Sequence, residues 1–134
     1  MRAIFLAPLL AVAAPAVAAP AVAAPLTIHV GETWVFAIRD GQPTNAHKAA
    51  LSTAPAKGQV RATVSALGGT TMTLTNAIGV AFTFRAELIG ADGKITAARS
   101  CTLPSTTRQA FESWPQRAVA VRIGSFKRTA GGSC

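Results

Sequence analysis

Tyrosine is missing altogether, and only two histidines, two cysteines and five acidic side chains stand among 134 residues. Without tyrosine, and with the lysines and arginines scattered singly apart from Lys127-Arg128, there is no basic groove interleaved with stacking aromatics, so a nucleic-acid partner is not expected. His29 falls on the outward parity of an expected first strand and His47 stands beside Lys48. Neither has a Cys, His or carboxylate at a metal-ligand spacing. The acids Glu32, Asp40, Glu87, Asp92 and Glu112 are isolated, and Asp40 and Asp92 each precede a turn glycine, so no carboxylate pair suggests acid–base work. A Gly-x-Ser-x-Gly elbow and a phosphate loop are also missing. These gaps leave no catalytic residue, no metal site and no cofactor to expect, and the chain reads as a non-enzyme.

A hydrophobic run long enough to span a bilayer is lacking as well. Residues 3–10 are apolar behind Met1-Arg2, and residues 11–25 are three copies of Ala-Val-Ala-Ala-Pro. A short positive start, about ten apolar residues and Ala-x-Ala sites form a secretory signal, too short and too often broken by proline to remain as a membrane span. Peptidase needs small residues before the bond and rejects proline just after it, so each copy offers one usable bond. Cleavage is expected after Ala23, or alternatively after Ala18, giving a signal at 1–23 and a single domain at 24–134. The product is expected in the periplasm or secreted space. Its 111 residues suffice for one core and not for two. Loss of Arg2 lowers the net charge from +8 to +7, which favours solubility and attraction to an anionic envelope component, whether lipid, polysaccharide or acidic protein. An even cysteine count in an exported chain predicts a Cys101–Cys134 disulfide.

What is present from Leu26 onward has a period of two. Leu26, Ile28 and Val30, then Trp34, Phe36 and Ile38, then Val60, Ala62 and Val64 alternate with smaller or polar residues, and Gly, Pro, Asn and Asp separate the segments. A one-residue slip would turn every inward side chain outward, so parity selects loop lengths. A loop Leu67-Gly68-Gly69 with Gly69 left-handed sets Val64 opposite Met72 and Ala62 opposite Leu74. A two-residue Asp92-Gly93 turn sets Leu88 opposite Ala97, Phe84 opposite Cys101 and Phe82 opposite Leu103, with Arg99 on the same apolar face and snorkelling out at an edge. The inward set is then Val60, Val64, Met72, Leu74, Phe82, Phe84, Leu88, Val121 and Ile123; Arg61, Arg85, Lys94 and Arg122 point outward. Asn45 to Ala50 reads as a weak segment. Residues 105–114, with Phe111 and Trp114 three apart, suggest one short helical turn in a crossover between sheets. Trp34 and Trp114 read as core residues, Trp114 as the more exposed, with sugar stacking the use of an exposed ring. Gly124 marks a bulge that brings Phe126 inward. Seven or so short strands in this length predict an immunoglobulin-like antiparallel β-sandwich, with a small closed barrel as the alternative.

Gly69-Thr70-Thr71-Met72-Thr73-Leu74-Thr75-Asn76, Phe84-Arg85-Ala86, Cys101-Thr102-Leu103-Pro104, Phe111-Glu112-Ser113-Trp114-Pro115 and Phe126 together resemble small exported bacterial proteins of unknown function. The resemblance covers the second half of the mature chain. It implies a signal-bearing β domain and carries no activity to transfer. The favoured function is a non-enzymatic envelope or secreted module that contacts a protein or an anionic envelope component. The alternative is an inhibitor of a protease or another hydrolase, acting through a rigid loop at 40–44 or 49–58. Gln42-Pro43-Thr44-Asn45 is similar to the loop of immunoglobulin-like cysteine-protease inhibitors, although their Asn-Pro-Thr-Thr-Gly-Tyr motif is absent.

Overall fold

The computed structural model describes residues 11–12 and 23–132; the rest of the expected signal, and Cys134, lie outside them. Among the described residues nine strands form: β1 (Leu26–His29), β2 (Thr33–Arg39), β3 (Gln42–Ala49), β4 (Val60–Ser65), β5 (Thr70–Asn76), β6 (Phe82–Ile89), β7 (Ile95–Ala98), β8 (Ala110–Trp114) and β9 (Ala120–Arg128). They make a four-stranded sheet in the order β1-β9-β6-β7 and a five-stranded sheet in the order β3-β2-β4-β5-β8. Every pairing is antiparallel. The sheets pack face to face as a β-sandwich and do not close into a barrel. All nine residues of the expected inward set are buried in this core.

The β4–β5 register follows the parity argument, with Val64 opposite Met72 and Ala62 opposite Leu74. Gly69 takes φ +122°, and a side chain there would drive into the carbonyls of Trp114 and Pro115, so the turn needs glycine for space as well as for backbone. In β9 the bulge also forms. Ser125 takes φ 51° beside Gly124, the β6–β9 register shifts by one, and Phe126 turns into the core.

The β6–β7 hairpin differs from its expected form. Gly90 N–H donates to the Lys94 carbonyl and Asp92 Oδ1 accepts the Lys94 N–H, so the loop has three residues, Ala91-Asp92-Gly93, instead of two. Leu88 therefore faces Thr96 and Ala86 faces Ala98. Arg99 is carried to the outward parity and is exposed, not placed on the apolar face. The original register resumes at Phe82 opposite Leu103, so the chain between Ala98 and Leu103 takes up one extra residue.

Two further corrections matter for the site. No helical turn forms at 105–114: residues 110–114 are strand β8, paired with β5, and the described residues contain no helix. The five-residue backbone satisfies its hydrogen bonds on a sheet edge, which an isolated turn ending at Pro115 could not do for itself. The weak segment at 45–50 belongs to the eight-residue edge strand β3, bulged at Asn45 (φ 52°).

Because β3 and β4 both run antiparallel to β2 and flank it, residues 50–59 must cross over the outer face of β2. Arg61 holds this crossing down, its guanidinium donating to the carbonyls of Leu51 (3.4 Å) and Thr53 (2.9 Å) and to Thr75 Oγ1 (3.2 Å). Val35, on the outward parity, is only 2% exposed as a result. At the other end of β2, Asp40-Gly41 closes a tight turn with Arg39 opposite Gln42.

Candidate functional site: a cleft between the two sheet edges

The sheets end together at β7 in one and β8 in the other, and residues 99–101 bridge the gap. Ser100 Oγ donates to the Phe84 carbonyl of β6 (2.7 Å), Trp114 Nε1 of β8 donates to the Arg99 carbonyl (2.8 Å), and Cys101 N–H donates to Glu112 Oε1 of β8 (2.6 Å). Beside this bridge lies a cleft of about 620 Å³. Leu88, Ala97, Ala98, Trp114 and Pro115 give it apolar walls, and Glu112 and Arg99 are its charged groups.

Glu112 reaches the interior because of register. It pairs with Met72, which faces the core, whereas Phe111 pairs with outward Thr73. The strand thus buries its acid, 6% exposed, and leaves its phenylalanine 65% exposed. Burial pushes the Glu112 carboxyl above its ordinary range, against the opposing pull of the Cys101 N–H. Among the described residues the ion pairs are His29–Glu32, Lys48–Glu32 and Arg122–Glu87, and Glu112 takes part in none. Oε1 accepts the Cys101 N–H, and Oε2 has no hydrogen-bond partner among the described residues. Since no buried side-chain polar atom among the described residues is left unsatisfied, Oε2 opens to the cleft that Glu112 lines.

The other residues raised by the sequence lie elsewhere. Cys101 lines the cleft, while its expected partner Cys134 is outside the described residues. His29 and His47 are exposed. Glu32 sits in a surface knot, its Oε2 accepting from Trp34 Nε1 (2.6 Å) and its Oε1 3.3 Å from Lys48 Nζ; the Trp34 bond, helped by the His29 N–H and Lys48, holds its carboxyl below the ordinary range. Trp34 is consequently the half-exposed indole, and Trp114, 7% exposed, is the buried one, reversing the expected order. A second cleft of about 670 Å³ near Val30, Gly69 and Val119 has Arg117 as its charged residue and no buried titratable group.

Glu112 looked like one more isolated acid while 105–114 was read as a turn. Its signal is the alternation in Ala110-Phe111-Glu112-Ser113-Trp114, which as a strand puts Glu112 and Trp114 on one face. Comparison with known proteins gives no match to this chain by family model, by curated sequence or by solved structure.

Proposed function

We propose that this chain is an exported, non-enzymatic binding module of the cell envelope or secreted space, of the kind its second-half motifs resemble, and that it binds through the β7–β8 cleft. The observation that carries this reading is Glu112, a buried carboxylate with one oxygen turned into a partly apolar cleft and in none of the ion pairs among the described residues. A cavity with apolar walls and one directed polar group is suited to binding and orienting a ligand. Hydrolysis would ask for more: the Ser100 hydroxyl is engaged by Phe84, and among the described residues Arg99 is the only other charged group lining the cleft. Export rests on the triplicated cleavage region, and the expected Cys101–Cys134 disulfide accords with an oxidising compartment.

The test is amide chemical-shift mapping of the mature protein against fractionated envelope extract. Shifts should concentrate on Ala97, Ala98, Cys101, Glu112 and the Trp114 indole. Shifts confined to the outer face of the four-stranded sheet, around Arg85 and Lys127, would replace this reading with an anionic partner held by surface charge.

A further inference from the structure

We infer that the cleft takes a primary ammonium group on an aliphatic stem, presented by a free amine or by a lysine side chain, with the ammonium on Glu112 Oε2 and the stem along Leu88, Ala98 and Trp114. This rests on the cleft being the binding site, and it adds the class of ligand. Three observations select the class. The first is that the buried charge has no counter-ion: Glu112 is 6% exposed and belongs to none of the ion pairs among the described residues. A buried carboxylate without a cation is an unfavourable arrangement that an incoming cation relieves. The second is that only one oxygen is offered, because Oε1 is occupied by the Cys101 N–H at 2.6 Å. A guanidinium works best as a two-pronged donor to both oxygens, whereas an ammonium is a compact point charge that a single oxygen serves. The third is that Leu88, Ala97, Ala98, Trp114 and Pro115 give the cleft an apolar surface beside its polar lining residues Ser100, Ser113 and Gln116, and the Trp114 Nε1 is already engaged by the Arg99 carbonyl, so an aliphatic stem has apolar surface to lie along.

The chain's overall positive charge does not oppose this. Exposed cations farther away than a Debye length of about 8 Å at physiological salt are largely screened, while a contact inside the cleft is not. Among the described residues Arg99 is the one cation lining the cleft, and its side chain is exposed. The raised pKa of Glu112 adds a signature: the ammonium needs the ionised carboxylate, so its binding strengthens as pH rises through the Glu112 titration; Arg99 is the other charged group lining the cleft among the described residues.

The experiment is an amide-shift titration of the mature protein with n-pentylamine, Nα-acetyl-lysine N-methylamide, n-pentanol and valerate, repeated on Glu112→Gln and on Ala97→Phe. Ala97 is exposed on an edge strand, so Ala97→Phe narrows the cleft without touching the core. Pentylamine is expected to shift the Cys101 amide and the Trp114 indole, to bind at least tenfold more tightly than pentanol or valerate, and to lose at least tenfold in Glu112→Gln and in Ala97→Phe. Its affinity should also fall from pH 7 to pH 4. If the lysine derivative matches pentylamine, a peptide side chain is an adequate source; if pentylamine alone binds, the source is a free amine. Equal binding of pentanol and pentylamine, unchanged in Glu112→Gln but lost in Ala97→Phe, would overturn the ammonium assignment and leave the binding cleft standing. No shift at cleft residues with any probe would overturn the ammonium assignment, and envelope-extract shifts lying elsewhere as well would remove the cleft reading with it.

Discussion

Phe126 shows how one residue's backbone decides the packing of four rings. With Ser125 at φ 51° the strand gains an extra residue, and the Phe126 ring comes within 5.9 Å of Phe36, 6.1 Å of Phe82 and 5.4 Å of Phe84, centroid to centroid. Removing a ring from such a cluster loses both transfer energy and contacts. Phe84→Ala is therefore expected to cost about 3 to 5 kcal/mol in urea denaturation, and the neighbouring exposed Arg85→Ala less than about 1 kcal/mol. Equal stabilities would refute the face assignment. Glu112 supplies the opposite case, a residue that weakens the fold where it sits. Its folded carboxyl holds a proton more tightly than the unfolded one, whose ordinary value is 4.5. The contribution is thus complete below that value and is lost as pH rises through the raised folded value. Glu112→Gln should gain on the parent between pH 4 and pH 7, because every other titrating group is common to both. A stability difference that stays flat across that range would mean that the buried carboxyl titrates normally.

At the level of strands, parity was informative wherever a glycine turn fixed the loop length unambiguously. The β4–β5 register and the bulge in β9 could be read because an apolar face had to stay together through them. The β6–β7 hairpin could not, since Asp92-Gly93 is compatible with a two-residue or a three-residue loop, and the bonds that favour the longer one, Gly90 N–H to the Lys94 carbonyl and Lys94 N–H to Asp92 Oδ1, are not visible in residue alternation. For β8 the obstacle was composition: Phe111 exposed and Glu112 buried invert the usual preference, and the inversion is imposed by pairing with β5 and not by the segment itself. The β3–β4 crossing likewise has no local signal, and depends on Arg61, a side chain that periodicity describes only as outward. Arg61→Ala should release residues 50–59, raising proteolysis and amide exchange there, and should cost about 1 to 3 kcal/mol through lost charge-assisted bonds and exposure of Val35. Unchanged exchange in that segment would show that the loop is held by other contacts.

In the whole molecule, the cleft exists because β7 and β8, consecutive in the chain, are edge strands of different sheets with residues 99–101 bridging them, a placement that composition and spacing do not encode, whereas the core residues were legible from their alternation. The same bridge is where the expected disulfide attaches. Pairing Cys101 with Cys134 would close a loop of about 34 residues and contribute on the order of 3 to 4 kcal/mol by restricting the unfolded chain. The other terminus is tied independently, the Ala24 N–H donating to the Pro43 carbonyl at 3.1 Å, a bond that an α-ammonium at Ala24 would retain. Protein recovered from an oxidising compartment is accordingly expected to begin at Ala24, or at Ala19, by intact mass, to resist alkylation at both cysteines until reduced, and to unfold at a lower denaturant concentration once reduced. A product that keeps residues 1–10 would end the export proposal. If instead the mass is that of the processed chain but both cysteines alkylate without reduction, the domain is exported and the carboxyl-terminal staple is wrong.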